Sequence, residues 1–179
     1  MPSPKMVSIR ALRQDDQRGD FRSGQEDLDL FFHRHAASNQ FAEHIGITYV
    51  AVDDAGKILG FATLAGATIA AESFSSTRKR RLPRYPLPAL RLARLAVSLD
   101  ARGKGIGTFL VRYAFAQALD QASRVGCIGV IVDAKPDAVH FYERLGFESQ
   151  EVVEGQLASH PATTPMFLHI ATIRAAIKG

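Results

Sequence analysis

The chain opens on an alternation. In Met6–Leu12, Val7 and Ile9, with Ala11 behind them, are separated by polar or charged neighbours, the period of a half-buried strand. Ser23-Gly24-Gln25-Glu26 then has the spacing of a capping box and predicts a helix start. Leu28, Phe31, Phe32 and His35 follow at i, i+3, i+4 and i+7, so this helix lays one face on a core. Ile47–Val52 is β-branched and aromatic, Asp53-Asp54-Ala55-Gly56-Lys57 is turn chemistry, and Ile58–Ala65 is apolar again. The pair predicts an antiparallel hairpin.

Ala71–Pro88 breaks the periodicity. Pro83, Pro86 and Pro88 deny donors to a ladder, which predicts a loop. Leu90–Ser98 reads as a strand. Arg102–Gly107 is a glycine-rich loop, and a helix follows to about Arg124. Its apolar set is Ile106, Leu110, Tyr113 and Ala114, with Gln117 in line and Phe109 beside it. Cys127–Val132 suits a buried strand. Pro136 opens a helix that ends at Gly146, a residue suited to a C-terminal cap. Phe147–Val152 and Met166–Thr172 read as the last strands. The order predicts a mixed α/β fold, helices packed on a sheet, with residues 1–179 as a single domain.

Composition leaves this picture in place. Of 179 residues, 46% are apolar and 22% charged, which is globular. No apolar run is long enough for a membrane-spanning helix, and Met1–Arg10 lacks the apolar core of a secretory signal. The one cysteine, Cys127, excludes an intramolecular disulfide framework and suits a reducing compartment. The expected location is cytoplasmic, with no membrane partner.

Charge changes the picture more. Arg78–Lys104 holds nine Lys or Arg against Asp100, a local charge of +8 within a net charge of +4. Such a field favours an anionic partner; its bland alternative is a solvated loop.

The strongest local feature is Arg102-Gly103-Lys104-Gly105-Ile106-Gly107-Thr108, placed between a strand and a helix. Glycines bring backbone close to a ligand, and the first N–H groups of a helix favour a phosphate. Arg102 and Lys104 add positive charge. The sequence lacks a GxxxxGK[ST] loop, and its GxGxG sits too far along the chain for a dinucleotide fingerprint.

Arg102-x-x-Gly105-x-Gly107 resembles the acetyl-CoA pyrophosphate loop of the GNAT N-acetyltransferases, and Ala138-Val139-His140-Phe141-Tyr142-Glu143-Arg144-Leu145-Gly146-Phe147 resembles a second block of that family. The resemblance spans about Met6 to Thr172. It implies a mostly antiparallel sheet, splayed at the acetyl-CoA site and flanked by helices. Phe21-Arg22-Ser23-Gly24, Leu28-Asp29-Leu30-Phe31, Asn39-Gln40, Thr48-Tyr49-Val50, Gly60-Phe61-Ala62-Thr63-Leu64-Ala65 and Arg84-Tyr85-Pro86-Leu87-Pro88 further resemble the GNAT toxins of toxin–antitoxin pairs. Arg22 stands where those toxins usually have Asp, and Phe61-Ala62 where they have Tyr-Tyr. That resemblance implies acetyl transfer to the amino group of aminoacyl-tRNA, a ribbon-helix-helix antitoxin, and a basic segment Arg78–Arg94 facing tRNA; a homodimer is left open.

The same resemblance implies roles for single residues. Tyr142 is the catalytic candidate, donating a proton to the leaving CoA thiolate; its alternative is a core tyrosine bonded elsewhere. Leu95, Ala96 and Val97 present main-chain groups to the pantetheine arm, as in strand addition, and Phe141 packs on that arm. Gly103, Ile106 and Thr108 complete the cofactor set with Arg102, Lys104, Gly105 and Gly107. No carboxylate stands on Leu90–Ser98 to act as a base, which leans toward an acceptor amine of lowered pKa. His140 reads as a helix-surface residue, Cys127 as a small core residue. His33 and His35 fall on different helix faces, so no metal is expected. The alternatives are a non-toxin enzyme acting on a small amine or a protein N-terminus, and a non-catalytic acetyl-CoA-binding or interaction module.

Overall fold

The computed structural model describes residues 6–150 and 163–178. In chain order the elements are β1 (Ser8–Ala11), α1 (Glu26–Arg34), α2 (Ala36–Phe41), β2 (Ile47–Val52) and β3 (Ile58–Ile69). After them come α3 (Ser76–Lys79), β4 (Leu87–Val97), α4 (Ile106–Arg124) and β5 (Gly129–Ala134). The last are α5 (Val139–Arg144), β6 (Glu148–Ser149), β7 (Thr164–His169) and α6 (Ile170–Lys178). The seven strands are ordered β1-β2-β3-β4-β5-β7-β6. This is the mixed α/β sheet with flanking helices that the sequence pattern calls for. Among the described residues no helix is long and apolar enough to cross a membrane.

The fold divides into two compact units, residues 1–65 with 92–114 and residues 66–91 with 115–179. In the first, β1 pairs antiparallel with β2, and β2 with β3. Leu28, Phe31 and Phe32 of α1 are buried and join Leu12, Phe21, Val50, Phe61 and Ala96 in one core. Phe61 stacks on Phe32 at 4.4 Å between ring centroids, while Phe21 meets both rings edge-on. Edge and offset arrangements suit the ring quadrupole. Gln40 ties the unit's start together: its Nε2 donates to the Leu12 carbonyl at 3.0 Å, and its Oε1 accepts from the Thr48 N–H at 2.9 Å. The buried hydroxyls of Thr48 and Thr63 satisfy each other at 2.8 Å.

In the second unit β4 pairs in parallel with β5 at Leu90↔Val130 and Arg91↔Ile131. β5 pairs antiparallel with β7 along its whole length, and β6 adds to β7. Ala89, Ile131 and Phe167 form its core with Ala67, Ile69, Phe74 and Ile128 packed against them. Cys127 is buried just ahead of β5, where its thiol donates to the Gly129 carbonyl.

Several boundaries differ from the sequence reading. α1 ends at Arg34, so His35 is exposed and Ala36 takes the buried position at the start of α2. β3 runs four residues past Ala65, and the proline-rich loop contains the short helix α3. The run Met166–Thr172 is split: the strand stops at His169 and α6 takes over, where the helical spacing of Ile170 and Ile173 turns Ile173 into the core. The expected strand end at 151–152 lies outside the described residues.

The pairing of β5 with β7 rests on Gly129. A Cβ there would lie 2.2 Å from the Leu168 carbonyl and 2.6 Å from the Phe167 ring. We therefore expect Gly129→Ala to destabilise the protein by about 3 kcal/mol, the high end of overpacking costs, read as a lower urea midpoint at unchanged slope.

Candidate functional site

The first unit carries the glycine loop. β4 ends at Val97, and the Ser98 N–H donates to the Leu59 carbonyl at 2.8 Å. A single 3-10 turn, Leu99–Ala101, follows. Gly103 and Gly105 then adopt φ of +75° and +77°, and a Cβ at either would meet nothing within 4 Å. The backbone is left-handed and the space beside it is open, so glycine is required by conformation here and not by crowding. The first bond of α4 runs from the Phe109 N–H to the Gly105 carbonyl at 3.0 Å. The N–H groups of Ile106, Gly107 and Thr108 precede it and have no acceptor within the helix, and the dipole of a 19-residue helix adds to their pull on an anion.

A third glycine sets where this helix begins. A Cβ on Gly60 of β3 would lie 2.8 Å from the Ala96 carbonyl, 3.0 Å from Ile106 and 3.1 Å from Leu110. Its absence lets the first two turns of α4 and the end of β4 close on the same point. Ala96 and Ile106 are buried, Leu95 and Val97 half-buried, and the four residues Arg102–Gly105 exposed.

Charge around the loop is organised. Asp100 bonds Lys57 and the Ser98 hydroxyl, and these two hold its carboxyl low, at about 2. Lys104 Nζ lies 3.3 Å from the Asp100 carbonyl, its ammonium at the loop. Arg102 is turned the other way: its Nη2 donates to the Ser23 carbonyl at 2.6 Å. Arg94 of β4 lays its guanidinium over the Phe31 ring, 3.8 Å from the centroid. Burial lowers its pKa while Asp27 pulls it up. The sequence pattern marks Phe31 as buried but cannot say that a cation caps it.

The second unit carries the tyrosine. α5 ends in a Schellman cap, with Gly146 at φ +98° and the Phe147 N–H donating to the Tyr142 carbonyl at 3.1 Å. Tyr142 is 5% exposed. It sits between Phe141 and Phe147, both edge-on, at 5.1 and 5.3 Å. Among the described residues its hydroxyl makes no hydrogen bond, and burial pushes the phenol well above its ordinary pKa. Phe141 is half-buried and His140 exposed beside Glu143.

The basic segment of this unit lines a cavity of about 650 Å³ with Lys79, Arg80 and Arg84, opposed by Glu72. Arg78 lies over the Phe74 ring at 4.8 Å. Burial, and then the Arg78 charge, depress the pKa of His169. Among the described residues no three metal-ligating side chains converge.

Residues 44–149 match the profile of the acetyltransferase (GNAT) domain. A tRNA-acetylating toxin of Mycobacterium tuberculosis is 29% identical over 140 residues, 78% of this chain and 82% of that one. A crystal structure of a tyrosine-to-phenylalanine mutant of KacT superposes with a TM-score of 0.83 at 26% identity, covering 95% of this chain and 98% of that one. AtaTR bound with acetyl-CoA gives 0.78 at 25% identity, over 96% and 98%.

The Asp100 arrangement has a pH signature. Its folded pKa lies below the ordinary carboxylate value, so its contribution to stability is present above that value and is lost as pH falls through about 2. The carboxyl-carbon shift of Asp100 should titrate near pH 2, and Lys57→Met should move that midpoint upward.

Proposed function

The chain belongs to the GNAT family of acetyl-CoA-dependent N-acetyltransferases, and from that premise we propose that its acceptor is the amino group of aminoacyl-tRNA, making it a translation-blocking toxin. The observation that carries this reading is the likeness to a tRNA-acetylating toxin over most of both chains. The cationic cavity of Lys79, Arg80 and Arg84 supports it, since phosphate neutralisation supplies most of the affinity for nucleic acid. The same reading carries a ribbon-helix-helix antitoxin as the silencing partner and the cytoplasm as the location.

On this reading the residues of the glycine loop hold acetyl-CoA. The N–H groups of Ile106, Gly107 and Thr108 take the pyrophosphate, helped by the Lys104 ammonium, and the open space at Gly103 and Gly105 lets the phosphates reach the backbone. Leu95, Ala96 and Val97 offer main-chain groups to the pantetheine arm, with Phe141 packing on it. The acceptor nitrogen attacks the thioester carbonyl, a C–N bond forms, and the C–S bond breaks with its electron pair passing to sulfur. An α-amino group has a pKa near 8, against about 10.4 for lysine. About a tenth of it is already the neutral amine at pH 7, and the proton that the nitrogen releases after attack passes to water, which accounts for a strand β4 without a carboxylate.

Tyr142 serves the departing sulfur. Its raised pKa keeps the phenol protonated, and its O–H has no protein acceptor among the described residues. A thiol ionises near 8.5, so complete transfer from this phenol is uphill. The hydroxyl stabilises the developing thiolate by a hydrogen bond whose proton follows as the bond breaks. Tyr142→Phe should cut turnover by roughly 10²-fold and leave acetyl-CoA affinity unchanged. Full turnover in that variant would remove Tyr142 from the mechanism.

The acceptor is tested with labelled acetyl-CoA on charged tRNA, uncharged tRNA, polyamines and N-terminal peptides. Label should enter charged tRNA alone. Neutralising Arg78, Lys79, Arg80 and Arg81 together should flatten the salt dependence of tRNA binding. Label in peptides or polyamines with none in charged tRNA would reject the toxin reading.

A further inference from the structure

The loop from Arg102 to Gly105 has little of its own to hold it in place. Its two left-handed glycines touch no side chain within 4 Å of where a Cβ would be, and Ile106 anchors only its far end in the core. The near end is tied to the segment before α1. Arg102 Nη2 donates to the Ser23 carbonyl at 2.6 Å, and the Leu99 N–H donates to the Arg22 carbonyl at 2.9 Å. Gly24, at φ +85°, lies so close that a Cβ would meet Leu99 at 3.1 Å and Arg102 at 3.2 Å.

The Ser23 carbonyl can hold Arg102 only if Ser23 is itself fixed, at its N–H and its side chain. Asp29 fixes it. Its Oδ1 accepts the Ser23 N–H at 2.9 Å and the Ser23 hydroxyl at 2.7 Å, and the hydroxyl accepts the Gln25 N–H at 3.1 Å. Ser23 is 2% exposed, so these bonds are screened from water and a lost partner is costly.

We propose that Asp29 is a positioning residue for the acetyl-CoA loop, acting through Ser23 and Arg102, and that Arg102 serves as a brace and not as a phosphate ligand. The proposal rests on the reading of this loop as the acetyl-CoA site. An unbraced loop must be ordered when the ligand binds, and that conformational cost weakens affinity. A braced loop meets the ligand already formed.

The experiment measures acetyl-CoA affinity by calorimetry and, without ligand, the rate of trypsin cleavage after Lys104 by mass spectrometry. Asp29→Ala should weaken binding about tenfold and speed that cleavage by a similar factor, with kcat at saturating acetyl-CoA unchanged. Asp29→Asn keeps the accepting oxygen and should restore both values, and Glu26→Ala in the same helical turn should alter neither. Asp29→Ala combined with Arg102→Ala should bind no more weakly than Asp29→Ala alone. If Asp29→Ala is unfolded at the assay temperature, Arg102→Ala replaces it in the cleavage assay, where faster cutting is again expected. Wild-type affinity and cleavage in a folded Asp29→Ala protein, or additive losses in the double variant, would overturn the proposal. A wild-type protein that does not bind acetyl-CoA, with cleavage still responding to Asp29→Ala, would overturn the reading of the site and leave the brace standing.

Discussion

A helix start can hold an anion only where its first N–H groups stand still beside the strand that delivers the rest of the ligand. In this protein that requirement comes down to the missing side chain of Gly60. The Ala96 carbonyl, Ile106 and Leu110 all converge within about 3.1 Å of the place a Cβ would occupy. A methyl there would lift the helix from the strand, and the polar groups of the loop would lose the fixed geometry on which a charge-binding site depends. The open loop at Gly103 and Gly105 is useful because Gly60 makes the structure beneath it dense.

Charge and burial are handled differently in the two units. In the first, cations near the loop have assigned partners: Lys57 meets Asp100, Arg102 the Ser23 carbonyl, and Arg94 an aromatic face. A guanidinium stacks on a ring with little loss of its capacity to donate. In the second, Lys79, Arg80 and Arg84 share one cavity with a single carboxylate, Glu72. Among the described residues that line it, positive charge outnumbers negative three to one, which makes it a local basic field.

The glycine loop and the tyrosine block were legible because each is a local word: a few residues at fixed spacing whose chemistry does not depend on distant segments. The hairpin of β2 and β3 was legible for the same reason. What escaped was set by contacts remote in sequence. Ser23 and Glu26 have capping-box spacing, yet the left-handed turn at Gly24 moves the helix cap to Gln25, and neither makes the expected reciprocal bond. Asp29 takes the partner's role instead, which no spacing rule marks. Arg94 on Phe31 and Arg102 on Ser23 are equally invisible until the strand and helix are brought together. At β7 the mostly apolar run Met166–Thr172 carries no break to mark where the strand ends, and the chain turns helical at Ile170.

The tie between Ser23 and Arg102 spans 79 positions of the chain, and the first unit is assembled from residues 1–65 and 92–114, which are separated in sequence by residues 66–91. A ribosome delivers the N-terminus first. Residues 6–65 therefore emerge before residues 92–114, with a hydrophobic face on α1 and a core whose completion is still to be synthesised. Contacts this remote also slow folding, since the intervening chain must be closed before they form. Time thus enters the design: a nascent chain cannot hold its glycine loop in working shape until residues 92–114 have left the ribosome, and any activity begins only after that interval.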